Sequence, residues 1–257
     1  MIGVSSNGKT FDVLDTTSIN WREELERACS SLDAITPVYL PIVQLAERHA
    51  CGYELLARFS TGPAVPPSMW FESAAELGLT APLERRIMRA GFITADSLPD
   101  GAFVSINITA EALVSRQIQE LFAQRDRYDN IVLEVSEKDS QLPGVGEALT
   151  AFRAGGGRLA VDDIGSGFIN LRDVLTLKPD MLKVDRALIR GIDRDRVKAA
   201  IVEGLNAMAK QLEIPLLAEG IEAREELAVL EGLGVPLGQG YLFGEPSPSF
   251  AGKSEAA

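Results

Sequence analysis

The sequence predicts an α/β fold, a modified (β/α)8 barrel of the TIM type with an antiparallel early strand. Eight short apolar runs alternate with helical segments along the 257 residues, and this alternation is typical of a parallel sheet covered by helices. The runs are rich in Val, Ile and Leu, as expected for strands that are buried on both faces. They are 37–45, 51–59, 102–109, 130–137, 157–164, 180–188, 214–221 and 236–243.

The connection between the first two runs predicts the irregular part of the barrel. Only the segment AERHA separates them, and a crossover to a parallel strand needs a dozen residues or more. We therefore expect these two strands to pair as an antiparallel hairpin.

Helical patterns fill the remaining intervals. The longest, 68–95, is interrupted near Gly78 and Pro82, because both residue types disfavour a helix interior. The other helical segments are 21–32, 111–126, 145–156, 194–213 and 223–234. With no internal linker, the chain divides into an N-terminal lead-in with a helix (1–33), a barrel domain (34–248) and a disordered tail (249–257).

Composition excludes several classes of protein. Hydrophobic residues make up 46% of the chain and the formal net charge is −12, so we expect a sizeable core and no binding of nucleic acid polymers. No apolar run is long enough for a membrane span, and the N-terminus does not have the pattern of a signal peptide. Cys29 and Cys51 form no framework, which indicates reduced thiols and a cytoplasmic location.

Acidic and amide residues recur at the C-terminal ends of seven of the eight runs. In a parallel barrel these ends meet at one face, where the active sites of such barrels lie. Any one of them would also be explained as a helix cap or a solvated turn residue, but their repetition at one end favours a site. They are Glu54, Asn107, Glu134, Glu137, Asp162, Asp163, Asp185, Glu219, Glu222 and Gln239, and Lys183 accompanies Asp185.

These side chains predict a hard cation. Carboxylates that are buried together repel one another and lose hydration, so bound cations are needed to neutralise them. His49 is the only histidine, and an all-oxygen ligand set favours Mg²⁺ or Mn²⁺ over zinc. A pair such as Asp162 and Asp163 would let one carboxylate bridge two ions, and two-metal sites serve phosphodiester hydrolysis.

Seven segments resemble, in order and spacing, the motifs of the EAL domain family. The resemblance runs from about residue 38 to residue 246 of the printed sequence. The segments are GYELLAR (52–58), INIT (106–109), LEVSE (133–137), VDDIGSG (161–167), LKVD (182–185), AEGIE (218–222) and QGYLF (239–243).

The resemblance implies a modified barrel that hydrolyses cyclic di-GMP to linear pGpG with two Mg²⁺ or Mn²⁺ ions. It implies that one ion is held by Glu54, Asn107, Glu134 and Asp162, and the second by Asp162, Asp163 and Glu219. The implied catalytic residues are Glu54, Lys183, which would position or polarise the attacking water, and Glu219, a candidate base.

The resemblance also implies contacts beyond the ions. Arg58 would pair with a substrate phosphate, a role that suits its fork of donors. Further substrate-binding positions would be Leu56, Asp185, Glu222 and Gln239. Glu137 would anchor the loop after Asp163, and that loop would be available for a homodimer interface.

Some positions depart from the family pattern. Leu40 stands where the family commonly has Gln, Leu55 replaces Ala, and the loop 164–170 differs at several positions. These departures leave open a catalytically weak or inactive domain that acts as a cyclic di-GMP sensor or as a partner-binding scaffold. The ligand types alone would also permit a metal-dependent barrel enzyme with another phosphate or carboxylate substrate. The presence of every presumed ligand favours the phosphodiesterase.

Overall fold

The structure, a computed structural model, describes residues 19–31, 33–136, 143–165 and 177–250. In this part of the chain eight strands close into a barrel in the order of the sequence. Each predicted apolar run overlaps one strand, so the predicted barrel is confirmed. The strands are β1 (Ile35–Gln44), β2 (His49–Phe59), β3 (Phe103–Asn107), β4 (Ile131–Ser136), β5 (Arg158–Ile164), β6 (Met181–Val184), β7 (Leu216–Ala218) and β8 (Leu237–Gln239).

The first strand is the one that breaks the parallel order. β1 pairs antiparallel with β2 on one side and with β8 on the other, whereas the remaining neighbours pair in parallel. The turn between β1 and β2 closes through the N–H of Arg48, which donates to the carbonyl of Gln44. The predicted hairpin is therefore confirmed, and its register sets Leu40 opposite Glu54.

Ten helices surround the strands in the described ranges. They are α1 (Trp21–Ser30), α2 (Pro67–Leu77), α3 (Thr80–Ala95), α4 (Ala110–Leu113), α5 (Arg116–Phe122), α6 (Val145–Ala148), α7 (Thr150–Ala154), α8 (Arg186–Ile189), α9 (Arg196–Gln211) and α10 (Arg224–Gly232).

The long helical segment 68–95 breaks once rather than twice. Gly78 ends α2 in the left-handed conformation with φ at 67°, which glycine adopts without steric cost. Pro82 lies in the first turn of α3, where a backbone N–H would have no partner within the helix. The proline therefore marks the start of α3 and causes no second interruption.

Two other predicted helices are divided, and one predicted strand is shorter. Ser115 separates α4 from α5 and caps α5, because its side chain accepts a hydrogen bond from the Ile118 N–H. The segment 145–156 likewise forms α6 and α7. The run 180–188 is strand only as far as Val184, since Asp185 caps α8 by accepting from the Ala187 N–H.

Aromatic contacts attach α1 to the barrel. Trp21 of α1 meets Trp70 of α2 edge to face, with ring centroids 5.4 Å apart. Trp70 in turn stacks on Phe59 of β2 at 4.2 Å. The helix predicted in the lead-in is thus present and packs against the barrel, while residues 1–18 lie outside the described part.

The second residue of the predicted tail, Phe250, packs against the barrel. The ring of Phe250 lies 4.7 Å from that of Tyr39 and 5.1 Å from that of Tyr53. The Tyr53 hydroxyl also donates to the Phe250 carbonyl at 2.7 Å. The chain is therefore in contact with the barrel as far as this residue, and 251–257 lie outside the described residues.

None of the helices within the described ranges combines the length and the apolar character that a membrane crossing requires.

Candidate active site

The side chains inside the barrel change from apolar to polar over two residues along the strands. A layer of apolar side chains, one from each of seven strands, forms a cluster of its own: Ile42, Phe103, Val132, Ala160, Met181, Leu217 and Leu237. Strand side chains two residues apart point to the same face. Two residues beyond five of these positions stand Glu134, Asp162, Lys183, Glu219 and Gln239, so the polar layer lies at the carboxyl ends of the strands, where barrel enzymes carry their active sites.

Glu54 of β2 joins this polar layer through hydrogen bonds and is the centre of one half of it. The Asn107 amide nitrogen donates to Oε1 of Glu54 at 2.9 Å, and the Gln239 amide nitrogen donates to Oε2. Glu54 is only 7% exposed, so the two amides replace the water that its carboxylate would otherwise bind. The oxygen of the Gln239 amide has no hydrogen-bond partner among the described residues.

Lys183 is the centre of the other half. Its Nζ lies 2.7 Å from Glu219 Oε1, 2.8 Å from Glu134 Oε2 and 3.3 Å from Asp162 Oδ2. The Lys183 side chain is fully buried. Oε1 of Glu134 is buried as well and has no hydrogen-bond partner in the described part of the chain.

The ammonium takes the place that a cation would take among these acids. Within the described ranges, no three acidic, histidine or cysteine side chains already surround one point as metal ligands. Since Nζ of Lys183 lies within 3.3 Å of three carboxylates, a metal ion bound by these carboxylates would share them with the lysine.

Burial and mutual repulsion change the acidity of the group. Burial is the largest cause that raises the pKa of Glu134 to about 8; Lys183 opposes this shift, and the charges of Glu54 and Asp162 add to it. Burial likewise raises the pKa of Glu219 well above its ordinary value. For Lys183, burial alone would lower the pKa, but the surrounding carboxylates together raise it well above the usual range. Lys183 therefore keeps its positive charge to a higher pH than usual, and Glu134 and Glu219 keep their protons to a higher pH than an ordinary carboxyl group.

A β-bulge presents the two adjacent aspartates. The pairing of β5 with β6 shifts register between Val161 and Ile164, and Asp163 has a φ of 62°. Its N–H donates to Oδ1 of Asp162 at 2.7 Å. Bulges redirect side chains and are frequent beside active sites. In a regular strand the side chains of Asp162 and Asp163 would point to opposite faces of the sheet, and the bulge interrupts that alternation.

The other predicted positions are more dispersed. Asp185 caps α8, so its carboxylate serves the backbone. Glu222 is exposed, and its N–H donates to Oε2 of Glu226. Arg58 is exposed, with one guanidinium nitrogen donating to the carbonyl of Ala57 at 3.1 Å. Glu137 lies outside the described residues, as does the loop 166–176.

A cavity of about 530 Å³ adjoins the polar layer on the side of β2, β3 and β4. Asn107 and Glu134 line it, as do Leu56 and Arg58 of β2. Phe71 of α2 adds an aromatic surface. The cavity has the size and the largely apolar lining with a few polar groups that are typical of small-molecule sites.

Comparison with known proteins identifies the family. The family model of the EAL domain matches residues 22–246. The chain belongs to the EAL domain family. Among its curated relatives is PdeG of Escherichia coli K12, named a probable cyclic di-GMP phosphodiesterase, which is 29% identical over 239 residues, 87% of this chain and 47% of its own length. PdeL of the same organism, named a cyclic di-GMP phosphodiesterase, is 27% identical over 215 residues, 77% of this chain and 58% of its own length.

A solved structure agrees with the family assignment. BlrP1 of Klebsiella pneumoniae, in a complex with manganese and cyclic di-GMP at pH 6, superposes with a TM-score of 0.74 and 29% identity. The match covers 84% of this chain and 56% of that one. The chain thus spans about half the length of PdeG, PdeL and BlrP1.

One contact of this EAL domain was not expected from the sequence. Glu84 of α3 is 4% exposed and lines the cavity. Its Oε2 accepts from the N–H of Thr109 at 2.8 Å and from the Thr109 hydroxyl at 3.1 Å. Glu84 lies within a helical pattern that carries many charges, so nothing in its spacing separates it from a solvated helix residue.

Proposed function

We propose that this EAL domain hydrolyses cyclic di-GMP to linear pGpG with two divalent cations, Mg²⁺ or Mn²⁺. The observation that carries the proposal is the polar layer at the barrel mouth, in which Lys183 lies within 3.3 Å of three carboxylates beside the Glu54 cluster. Every acidic and amide ligand that the family resemblance implies is present in the chain. The naming of PdeG and PdeL as phosphodiesterases supports the reaction type.

The donor set fits divalent cations. All the candidate ligand atoms are oxygens, which suit Mg²⁺ and Mn²⁺. Oε1 of Glu134 is a buried acceptor without a hydrogen-bond partner among the described residues, which is the state expected of an unused ligand atom. Glu54, Asn107, Glu134 and Asp162 would hold one ion; Asp162, Asp163 and Glu219 would hold the other. When bound, the ions supply stabilisation of the negative charge that develops on the phosphate oxygens.

Two residues would handle the water and its proton. The Lys183 ammonium keeps its charge at neutral pH because the carboxylates raise its pKa, so it would orient a water by donating to the oxygen. Glu219 lies 2.7 Å from that ammonium. Its carboxylate, once ionised, would accept the proton of the water at Oε1 or Oε2.

The cavity would receive part of the substrate. Arg58 at its wall offers donors that suit a phosphate, and Leu56 would contact an apolar face. Gln239 would contact the substrate from the opposite side through its unpaired amide oxygen. The sequence-based roles of Asp185 and Glu222 in substrate binding stay predictions, as do the anchoring role of Glu137, the homodimer interface and the cytoplasmic location.

The experiment is an assay of the purified chain with cyclic di-GMP. It is incubated in Mn²⁺, in Mg²⁺ and in EDTA, and the nucleotides are separated by liquid chromatography. We expect pGpG in both metals and none in EDTA. The matched control is Glu54→Ala, which removes a proposed ligand and leaves the rest of the chain in place.

Each alternative outcome has its own meaning. Intact cyclic di-GMP that co-elutes with the protein would replace the phosphodiesterase by a sensor, and reversion of Leu40 to Gln would then be the first variant to make. Neither product nor binding would exclude both readings. Equal pGpG formation in EDTA would exclude the metal-dependent mechanism.

A further inference from the structure

A buried carboxylate outside the polar layer connects helix α3 to the end of strand β3. Oε2 of Glu84 accepts two hydrogen bonds from one residue, the N–H and the hydroxyl of Thr109. A carboxylate that is 4% exposed needs such donors, because an ionised group without partners is costly to bury. The contact therefore ties α3 to the residues that follow β3.

The segment from Asn107 to Thr109 is held from two sides. The Ile108 N–H donates to the carbonyl of Glu134 on β4 at 3.0 Å. The Thr109 hydroxyl, while donating to Glu84, accepts from the Ala112 N–H at 3.2 Å and so caps α4. The path of the backbone at Asn107 depends on both attachments, since this residue is the last of β3.

The backbone position of Asn107 matters because its side chain makes two contacts in the proposed site. Its amide nitrogen donates to Glu54 at 2.9 Å, and in the proposed function its amide oxygen ligates a metal ion. A shift of the Thr109 backbone by a fraction of an ångström would misalign one or both. Groups that orient metal ligands from behind have large effects on metal affinity.

We propose that Glu84 is the positioning residue of Asn107, acting through Thr109 to set the affinity of the site for a divalent cation. This inference rests on the proposed function, because it takes Asn107 as a metal ligand. Glu84 also lines the cavity, so a direct contact with substrate is the competing explanation. The two differ in one respect: a positioning role changes metal binding when no substrate is present.

The test uses paired variants of the full chain. Glu84→Met removes both acceptor oxygens at similar size, whereas Glu84→Gln keeps one acceptor oxygen. Thr109→Val removes the hydroxyl and Thr109→Ser keeps it. The matched control is Thr94→Val, which removes a buried hydroxyl of α3 that bonds to Tyr39 at 2.8 Å and does not line the cavity.

Four quantities are measured for each variant. They are the Mn²⁺ dissociation constant by calorimetry without substrate, the thermal unfolding midpoint in EDTA, and kcat and KM for cyclic di-GMP. We expect Glu84→Met and Thr109→Val each to weaken Mn²⁺ binding by about tenfold or more, the usual effect of removing an outer partner of a metal ligand. We expect Glu84→Gln and Thr109→Ser to stay close to the wild type.

The double variant Glu84→Met with Thr109→Val tests whether Glu84 and Thr109 affect Mn²⁺ affinity through the same contact. Its loss of Mn²⁺ affinity should be no larger than that of the stronger single variant, since both act through one contact. Thr94→Val should lower the unfolding midpoint and leave the Mn²⁺ affinity unchanged.

Other results would overturn the inference. An unchanged Mn²⁺ affinity with a raised KM in Glu84→Met would make Glu84 a substrate contact, and an unchanged affinity with only a lower midpoint would make it a structural residue. A wild-type chain that binds Mn²⁺ but forms no pGpG would instead contradict the proposed phosphodiesterase activity. The Mn²⁺ affinities of the paired variants would still decide the role of Glu84.

Discussion

The Lys183 ammonium and the Glu219 carboxylate are in direct contact, with Nζ 2.7 Å from Oε1. Lys183 is fully buried, whereas the Glu219 side chain is 17% exposed. The lysine also contacts Glu134 and Asp162. It is therefore an internal counter-ion of the acidic cluster.

Replacing this lysine should separate its two effects. In Lys183→Met we expect turnover to fall by about a hundredfold or more, the usual contribution of a proton-handling group. We expect the Mn²⁺ affinity to rise, because a positive charge beside three carboxylates opposes a second cation. Calorimetry with Mn²⁺ and the product assay measure the two effects.

The control for Lys183→Met is the exposed Lys210→Met, which should change neither quantity. A lower Mn²⁺ affinity in Lys183→Met would mean that the lysine organises the ligands more than it repels the ion.

Glu54 should be essential to the reaction and dispensable for the fold. It accepts amide donors from Asn107 and Gln239, so Glu54→Ala removes a proposed ligand and the common partner of two other side chains. We expect turnover to fall by at least about a hundredfold. Loss of a residue that only orients a metal ligand already costs up to about a hundredfold, and Glu54 is itself a proposed ligand. The circular dichroism spectrum should match that of the wild type.

The exposed Glu120→Ala, which loses only a surface ion pair with Arg116, is the control for Glu54→Ala. Activity that survives in Glu54→Ala with Mg²⁺ would remove Glu54 from the site.

The sequence predicted the barrel and most of the polar layer because both follow from short-range rules. Eight apolar runs with helical intervals leave few alternatives to a closed parallel barrel, and the length of AERHA demanded the hairpin of β1 and β2. The strand period of two then aligned Glu134, Asp162 and Lys183 above the apolar layer.

What the sequence missed depends on contacts between distant segments. Glu84 meets Thr109 only because α3 packs beside the end of β3, and a helical glutamate gives no sign of such a partner. Asp185 shows a second reason. A carboxylate at the end of a strand gives the same sequence pattern whether it caps a helix or lines a site, and in the structure Asp185 caps α8.

The bulge at Asp163 yields a prediction about stability. With φ at 62°, Asp163 occupies the left-handed region, which costs a typical L-residue about 1–2 kcal/mol, and which Gly adopts freely and Asn and Asp more easily than most. We expect Asp163→Val to lower the free energy of unfolding in EDTA by about this amount, and Asp163→Gly to lower it less. Urea unfolding measures the difference.

Mn²⁺ titration completes the comparison at Asp163. Both Asp163→Val and Asp163→Gly remove the carboxylate, so both should weaken binding of the second ion. Asp163→Asn keeps the conformation and one oxygen and should lie between them and the wild type. Equal stability of the Val and Gly variants would mean that the bulge relaxes on substitution.

Proton uptake by Glu134 predicts how stability and metal binding depend on pH. Its folded-state pKa of about 8 lies above the ordinary value of 4.5, so the protonated form stabilises the folded chain. That stabilisation is complete below the unfolded-state pKa and is lost as the pH rises through about 8. In EDTA, the unfolding free energy of the wild type relative to Glu134→Gln should therefore fall steadily from pH 5.5 to 8.5.

Metal binding should follow the opposite course. A cation must displace the protons held by Glu134 and Glu219, whose pKa values are both raised, so Mn²⁺ affinity should increase by about tenfold per pH unit for each proton released. Calorimetry in buffers of different ionisation enthalpy counts those protons. Glu134→Gln should release fewer protons than the wild type and bind more weakly at pH 8. A Mn²⁺ affinity that does not change between pH 6 and pH 8 would show that these carboxylates are already ionised in the metal-free chain.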